Sequence, residues 1–207
     1  MSSKVPSPTD LYKRLQTRKT LLIVISGPSA VGKDAVIESI RKRNLGFTFV
    51  TTATSRKARD YEKNGVDYFF YSREEFEAMI RDGKFAEYAL VYGDYKGVPM
   101  DQIEKALCSQ CDILLRVDVA GAATLRSKYP EAVLIFLVPS NEEEWLDRFN
   151  SRNTETPESL EIRRKTARHE LEQLGNFDYL VVNKEGRLDE TVDLVLDIIK
   201  VEHHRVR

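Results

Sequence analysis

Residues 21–34 read LLIVISGPSAVGKD and join an apolar segment to a turn that contains two glycines. The apolar segment is rich in β-branched residues, which is typical of a central parallel strand covered on both faces. Gly27, Gly32 and Lys33 fit the pattern G-x-x-x-x-G-K, in which backbone N–H groups and a lysine bind phosphate oxygens. Residues 35–42 have a helical apolar stripe, so the positive end of a helix dipole would face the same phosphates. The stretch therefore predicts a phosphate-binding loop between a strand and a helix.

Length and composition limit the class of protein. The 207 residues are 42% hydrophobic and 31% charged, which is enough apolar material for one sizeable core. The formal net charge of −1 argues against general binding to nucleic acids or anionic membranes. No apolar run approaches the roughly 20 residues of a membrane span, and the polar beginning lacks the core of a secretory signal. We therefore expect a soluble protein of the cytoplasm.

The order of predicted elements indicates an α/β fold. About five apolar strands alternate with helices, and right-handed crossovers would give a parallel sheet with its ligand at the carboxyl ends of the strands. The five strands are predicted at residues 21–25, 47–53, 112–119, 132–138 and 178–182. Ser140 and Glu143 predict a capping box at the start of the helix after the fourth strand. Residues 53–98 hold short strands and turns, which predicts a small lobe inserted in the main sheet.

Polar residues at the carboxyl ends of these strands indicate a second anionic ligand. Arg56 and Arg59 lie three residues apart in a polar stretch that ends at Tyr68, and guanidinium and phenol groups suit a phosphate. Glu87 and Asp118 supply carboxylates, which accept hydrogen bonds from the ring N–H and amino groups of a base. Guanine offers both donors at adjacent positions.

The chain from about residue 22 to residue 200 resembles guanylate kinases. The resemblance rests on GPSAVGK, TATSRKAR followed by DYFF, EYALVYGDYKG, LRVDVAGA, RNTETPES and DYLVVN, in that order. It implies a P-loop kinase with a five-stranded parallel core sheet, a GMP-binding lobe over residues 53–98 and a helical lid at about 140–165. The core would comprise residues 21–52 and 99–207, preceded by a tail and a short docking helix over residues 1–20.

The implied reaction is the Mg²⁺-dependent transfer of the γ-phosphoryl group of ATP to GMP or dGMP, by a monomer or homodimer without nucleic-acid or membrane partners. On the ATP side the implied binding residues are Gly27, Pro28, Ser29, Ala30, Val31, Gly32, Lys33, Asp34 and Asn183. On the GMP side they are Thr52, Arg56, Arg59, Tyr68, Glu87, Lys96 and Asp118. The implied catalytic residues are Lys33 and the lid arginines Arg148, Arg152 and Arg163.

Four positions depart from the commonest pattern of that family. Lys96 stands where most members have a tyrosine, and Val98 stands where many have a serine. Asp34 replaces the hydroxyl residue after the loop lysine, and Arg116 occupies a strand position that often carries an acid. One hypothesis is that the carboxylate that tunes Mg²⁺, directly or through water, has moved to Asp34, with Arg116 balancing its charge. The alternative is that Asp34 only caps the helix, where the dipole favours an acidic residue.

Two other functions are compatible with the same fold. Guanylate-kinase-like domains that bind peptides without catalysing have eroded phosphate loops, whereas Gly27, Gly32 and Lys33 are all present here. A ribose 1,5-bisphosphate phosphokinase can also carry an aspartate after the loop lysine, but it has no reason to read a base. AMP lacks the N1–H and 2-amino donors that Glu87 and Asp118 would accept, so the residues favour GMP and dGMP.

Overall fold

The computed structural model describes the backbone of residues 19–91, 93–150 and 157–206, and the side chains of these residues other than 149–150 and 157–164. In chain order the elements are β1 (Leu22–Ser26), α1 (Lys33–Lys42), β2 (Thr48–Phe49), β3 (Ala53–Thr54), β4 (Phe69–Phe70), α2 (Arg73–Arg81), β5 (Phe85–Val91), β6 (Asp94–Pro99), α3 (Met100–Leu107), β7 (Ile113–Arg116), α4 (Val119–Lys128), β8 (Val133–Val138), α5 (Glu142–Asn150), α6 (Pro157–Glu172), a 3₁₀ turn (Gln173–Asn176), β9 (Tyr179–Val182) and α7 (Leu188–Glu202). The predicted tail and docking helix at residues 1–18 lie outside the described residues.

The main sheet has five parallel strands in the order β2-β7-β1-β8-β9, which confirms the predicted α/β fold. Strand β1 lies at the centre of this sheet and is buried on both faces. Ile23 and Ile25 pack into the core cluster that includes residues of α1 and α7. Leu22 and Val24 pack into the opposite cluster, which includes residues of α3 and α4. The apolar run at 21–25 is explained by this two-sided burial, because alternate side chains face opposite layers of helices.

A second sheet is formed by strands that lie between residues 53 and 99, in the order β4-β3-β6-β5. Strands β5 and β6 pair antiparallel. Three aromatic rings form the interior under this sheet: Phe76 stacks on Phe85 with ring centroids 4.3 Å apart, and on Tyr95 at 5.3 Å. Because this cluster is separate from the two clusters of the main sheet, the smaller sheet has a core of its own.

The single strand predicted at residues 47–53 is wrong in one respect, since two strands in different sheets occupy this stretch. Val50 still donates its backbone N–H to the carbonyl of Leu114 in the main sheet, at 3.1 Å. Three residues later Ala53 pairs with Gly97 and Phe69 of the second sheet. The chain thus passes from one sheet to the other within a run whose residue types suit either.

Two predicted element ends also differ from the structure. Strand β7 ends at Arg116, and Asp118 is the N-cap of α4, with its Oδ1 accepting a hydrogen bond from the Gly121 N–H at 2.8 Å. Helix α5 begins at Glu142, so Asn141 rather than Ser140 accepts from a first-turn N–H, that of Glu144, at 2.8 Å. Asparagine caps helices as well as serine does, so the sequence alone did not decide between adjacent candidates.

None of the helices in the described part of the chain is long and apolar enough to cross a membrane.

Candidate active site

A cleft of about 970 Å³ lies between the glycine-rich turn after β1 and the smaller sheet. The ATP site is predicted at the glycine-rich turn, and the GMP site is predicted in the lobe that holds the smaller sheet. Most of the residues predicted for the two sites line this cleft. The predicted residues along its wall are Gly27, Ser29, Ala30, Val31, Gly32, Lys33, Asp34, Thr52, Arg56, Arg59, Tyr68, Glu87, Lys96 and Asp118. Its volume is in the range of small-molecule sites, which are typically about 300–1,000 Å³.

The glycine-rich turn has the backbone that a phosphate loop requires. Gly27 has a φ of +134°, and a Cβ at this position would lie 2.2 Å from the carbonyl oxygen of Leu137. Lys33 folds back over the turn, and its Nζ donates to the carbonyls of Gly27 at 2.6 Å and Pro28 at 2.8 Å. Burial and, to a smaller extent, the nearby Lys96 lower the pKa of Lys33 to about 8, so an incoming anion would be favoured beside both amines. The turn can therefore hold phosphate oxygens.

The outer side of the turn is held by residues from distant segments. The Nε1 of Trp145 donates to the carbonyl of Ser29 at 2.9 Å, and the Nδ2 of Asn183 donates to the carbonyl of Val31 at 2.8 Å. The Asn183 Oδ1 accepts from the Thr191 hydroxyl at 3.0 Å, so both ends of this buried amide bind protein groups. Asn183 thus contacts the loop that the sequence predicts for ATP, from behind, and does not line the cleft.

Arg148, a predicted lid arginine, also lies behind the loop. Its guanidinium donates to the Asn183 carbonyl at 2.7 Å and to the Val31 carbonyl at 3.3 Å. It pairs with the carboxylates of Glu144, on its own helix, and Glu185, at 2.9 Å. In this arrangement Arg148 supports the loop and does not line the cleft. Arg152 lies outside the described residues, and Arg163 lies on α6 with its side chain outside them.

The predicted GMP-phosphate arginines share a carboxylate that the sequence reading missed. Arg56 makes a two-pronged pair with Glu62, both N–O distances being 2.6 Å. Glu62 also accepts from the backbone N–H of Arg59 at 2.9 Å and lies 3.5 Å from its guanidinium. Burial raises the pKa of the Glu62 carboxyl, but hydrogen bonds from Arg56 and Arg59 outweigh burial and leave that pKa below its ordinary value. Glu62 therefore stays ionised and fixes both arginines.

Tyr68 and Lys96 complete this end of the cleft. The guanidinium of Arg56 lies 5.1 Å from the centre of the Tyr68 ring. Burial lowers the pKa of Lys96, while the carboxylates of Asp118 and Asp34 oppose this shift. Two arginines, a lysine and a phenol thus surround a space that suits a doubly charged phosphate.

The carboxylates predicted to read guanine lie deep in the cleft. Glu87 is 4% exposed, and its Oε2 is buried without a hydrogen-bond partner among the described residues. Gly121 leaves the room for it, because a Cβ there would lie 2.6 Å from that oxygen. Burial and, to a smaller extent, the nearby carboxylate of Asp118 together raise the pKa of Glu87 to about 8. An unsatisfied buried acceptor is costly, so this oxygen is positioned to receive a donor from a ligand.

Asp34 and Arg116, the two departures of opposite charge, are in direct contact. The Nε of Arg116 forms an ion pair with an Asp34 carboxylate oxygen. Asp34 lies in the first turn of α1, but no side-chain hydrogen bond caps this helix, whose N-cap is Gly32. Its side chain is 59% exposed towards the cleft, whereas that of Arg116 is 10% exposed. The pairing agrees with the hypothesis that Arg116 balances the charge of Asp34.

The sequence reading also missed Glu170, on α6. Its Oε2 is buried without a hydrogen-bond partner in the described part of the chain, and it lines the cleft. Burial raises the pKa of Glu170 to about 7, while the nearby Lys33 opposes this shift. The sequence does contain one sign of this position: Glu170 follows Ala167, which is buried, by three residues and so lies on the apolar face of a charged helix.

A glycine-rich loop with an inward lysine lies opposite a second basic pocket and the two carboxylates that are predicted to read a base, and this arrangement is that of a P-loop phosphotransferase that acts on a nucleotide. The guanylate kinase family model matches residues 18–202, and the chain therefore belongs to the guanylate kinase family. It is 49% identical over 187 residues to guanylate kinase 2, chloroplastic/mitochondrial, of Oryza sativa subsp. japonica; the match covers 90% of this chain and 66% of the rice protein.

Relatives of similar length are bacterial. The chain is 39% identical over 189 residues to the guanylate kinase of Shouchella clausii, and the match covers 91% of each protein. The crystal structure of guanylate kinase from Anaplasma phagocytophilum superposes with a TM-score of 0.72 at 27% identity, over 91% of this chain and 89% of that one. Sequence and fold thus agree on the family.

Proposed function

We propose that the protein is an ATP:GMP phosphotransferase, which moves the γ-phosphoryl group of ATP to GMP, or to dGMP, and releases ADP and GDP. The observation that carries this proposal is the composition of the one cleft. A phosphate loop with Lys33 forms one end, and Glu87 and Asp118 lie at the other end as acceptors for guanine. Membership of the guanylate kinase family supports the same reaction.

Each end of the cleft supplies one part of the chemistry. The loop amides and Lys33 would bind the β- and γ-phosphates, while Arg56, Arg59, Tyr68 and Lys96 would bind the phosphate of GMP. Phosphoryl transfer depends on charge neutralisation and in-line placement rather than on a strong base. The lid arginines Arg148, Arg152 and Arg163 are proposed to act at the transferred group, and Arg148 would have to leave the contacts behind the loop to do so.

The base would be selected by hydrogen bonds to Glu87, Asp118 and Thr52. The N1–H and 2-amino groups of guanine would satisfy the buried Glu87 oxygen that has no partner among the described residues. Adenine has neither donor at these positions, so AMP would leave the carboxylate unsatisfied. We therefore propose that selection for guanine arises mainly from Glu87.

The donor set near the loop fits a magnesium ion that enters with ATP. Mg²⁺ prefers hard oxygen ligands and is commonly held by one or two carboxylates together with substrate phosphates and water. Asp34 offers such a carboxylate directly after Lys33, with more than half of its side chain exposed. When bound, the ion would neutralise charge on the β- and γ-phosphates. We propose Asp34 as its protein contact, direct or through water.

An acceptor screen tests the proposed function. The purified protein is incubated with ATP and Mg²⁺ and with GMP, dGMP, AMP or ribose 1,5-bisphosphate, and ADP release is measured. We expect release with GMP and dGMP and at most a trace with AMP. Release with ribose 1,5-bisphosphate alone would instead indicate a sugar phosphokinase, and the absence of ADP release with every one of these acceptors would indicate an interaction module.

The cellular compartment and the oligomeric state are proposed in general terms. The rice relative is named a chloroplastic/mitochondrial protein and the others are bacterial, so we propose the cytoplasm, with an organelle as the alternative. We propose a monomer or a homodimer, which light scattering of the purified protein would distinguish.

A further inference from the structure

Arg116 occupies a central point between the two ends of the cleft. It is the last residue of β7 and lies in register with Ile25 of β1, next to the strand end from which the phosphate loop departs. Its side chain is 10% exposed and lines the cleft. An arginine buried at the end of a central strand is costly unless its charge is balanced, so its partners indicate its role.

Three contacts of Arg116 join three separate segments. Its Nε pairs with the carboxylate of Asp34, on the helix that follows the phosphate loop. Its NH2 group donates to the carbonyl of Asp67 at 2.8 Å, and its guanidinium lies 4.6 Å from the centre of the Tyr68 ring. The Tyr68 hydroxyl in turn donates to Asp34 at 3.4 Å. Arg116 thus connects the ATP side of the cleft to the segment that carries a proposed GMP-phosphate ligand.

The charge of Arg116 also changes what an incoming phosphate would meet. Asp34 places a carboxylate at the side of Tyr68, close to the space that the GMP phosphate would enter. Unpaired, this carboxylate would repel a doubly charged phosphate, because the partly buried cleft screens charge less than water does. Paired with Arg116, it forms a neutral unit that leaves the nearby cations free to attract the phosphate.

We propose that Arg116 is a positioning residue for GMP: it neutralises Asp34 and holds Tyr68, so that the nucleotide phosphate can bind beside the phosphate loop. This inference rests on the proposed function, since it concerns how the acceptor is bound. It assigns to Arg116 an effect on GMP affinity that is transmitted through Asp34 and Tyr68 rather than through contact with the base.

The test is direct GMP binding by titration calorimetry without ATP or Mg²⁺, so that turnover does not enter. Four proteins are compared: the parent, Arg116→Met, Asp34→Asn and the double variant. We expect Arg116→Met to bind GMP about tenfold more weakly than the parent, because the guanidinium charge that balances the Asp34 carboxylate is then lost. Asp34→Asn should bind GMP at least as tightly as the parent, because the charge of Arg116 is then uncompensated, and the double variant should recover to within about twofold of the parent, since the repelling charge is gone.

Recovery in the double variant separates positioning from a structural role. If Arg116 only stabilised the fold, Arg116→Met and the double variant would both melt at a lower temperature than the parent. The folded fraction of each would then bind GMP as tightly as the parent does. Parent-like binding by Arg116→Met, or a double variant as weak as Arg116→Met, would overturn the proposal. A parent that binds no GMP would contradict the proposed function instead.

Two further variants keep the test decisive. If Arg116→Met does not fold, Arg116→Lys keeps the charge but cannot hold Asp34 and Asp67 together. It should then bind GMP about threefold more weakly, and Asp34→Asn should remove that loss; parent-like binding would overturn the proposal. The matched control is Arg126→Met, because Arg126 likewise pairs with a carboxylate, that of Asp178, and donates to the carbonyl of Pro130 at 2.9 Å, outside the cleft. Arg126→Met should bind GMP like the parent.

Discussion

The phosphate loop and the opposite end of the cleft are assembled from different parts of the chain. The loop comprises eight consecutive residues, 27–34, and offers mainly backbone groups and one lysine whose amine it holds itself. The opposite end is made of side chains from three separated stretches, at residues 52–68, 87–96 and 116–118. Its arginines and carboxylates are held by one another, as Glu62 holds Arg56. The loop is therefore a local structure, whereas the proposed acceptor site depends on the whole fold.

This difference leads to distinct expectations for substitutions. Changes in the loop should affect the transfer step for every acceptor, because all acceptors need the ATP phosphates. Changes at the opposite end should affect which acceptor is used and how tightly it binds.

The largest effect is expected for Lys33→Ala. Turnover with GMP should fall about 1,000-fold, because the amine that we propose to neutralise the outer phosphates of ATP is lost. The fold should persist, since burial lowers the pKa of this lysine to about 8 and its charge is therefore unfavourable in the folded protein at neutral pH. ADP release and thermal melting measure the two parts. Lys42→Ala, at the exposed end of the same helix, is the control, and an equal loss in that variant would refute a specific role for Lys33.

The second effect concerns base selection and Glu87→Gln. At pH 8.5 the ratio of kcat/KM for GMP to that for AMP should fall about 100-fold, because the amide offers a donor where guanine also has donors. The KM for ATP should be unchanged. The exposed Glu104→Gln on α3 serves as the control. Unchanged discrimination in Glu87→Gln would mean that another group reads the base.

A third effect is a pH dependence of GMP binding. Because the pKa of Glu87 is raised to about 8, the carboxyl is largely protonated at pH 6.5, and it must lose that proton before both of its oxygens can accept from the two guanine donors. GMP affinity should therefore rise about tenfold per pH unit up to about pH 8 and then level. Calorimetry at several pH values on the parent and on Glu87→Gln isolates this contribution from the ionisation of GMP. Parallel profiles for the two proteins would contradict it.

A fourth, smaller effect tests whether Glu62 positions the arginines or competes with the phosphate. In Glu62→Gln the KM for GMP should rise about tenfold, since Arg56 loses its two-pronged partner, while the KM for ATP stays the same. Steady-state kinetics with each substrate varied would show this split. A lower KM for GMP would mean that Glu62 competes with the phosphate. Glu77→Gln, which breaks a pair with Arg73 in the same lobe, is the control.

The smallest effect is expected for Trp145→Phe. This change removes the hydrogen bond from Nε1 to the Ser29 carbonyl and keeps most of the ring packing. The KM for ATP should rise about fivefold, which corresponds to about 1 kcal/mol for one hydrogen bond, and the KM for GMP should stay unchanged. Kinetics with ATP varied at saturating GMP would measure it, and an equal change in both KM values would contradict a role confined to the loop.

The same difference between local and assembled structure explains what could be predicted from the sequence. The loop, the five parallel strands and the charge pairing of Asp34 with Arg116 follow from contiguous patterns or from positions that break a pattern. The split of residues 47–53 between two sheets could not be predicted from such patterns, because the strands with which these residues pair lie far along the chain.

The residues that contact the site residues could not be predicted from the sequence either. Glu62 and Glu170 look like surface carboxylates in sequence, and only the fold brings them to the cleft. Arg148 and Asn183 were expected to face the nucleotide, yet each donates to the Val31 carbonyl behind the loop. Such contacts join residues more than 100 positions apart, and no local pattern reports them.

The measurement that tests the central claim most directly follows the phosphoryl group itself. ATP labelled in its γ-phosphoryl group is incubated with Mg²⁺, the protein and an equal mixture of GMP and AMP, and the labelled products are separated. Transfer from the loop to a guanine nucleotide predicts that nearly all transferred label appears in the β-position of GDP. Label shared equally between GDP and ADP, or released only as inorganic phosphate, would contradict the account.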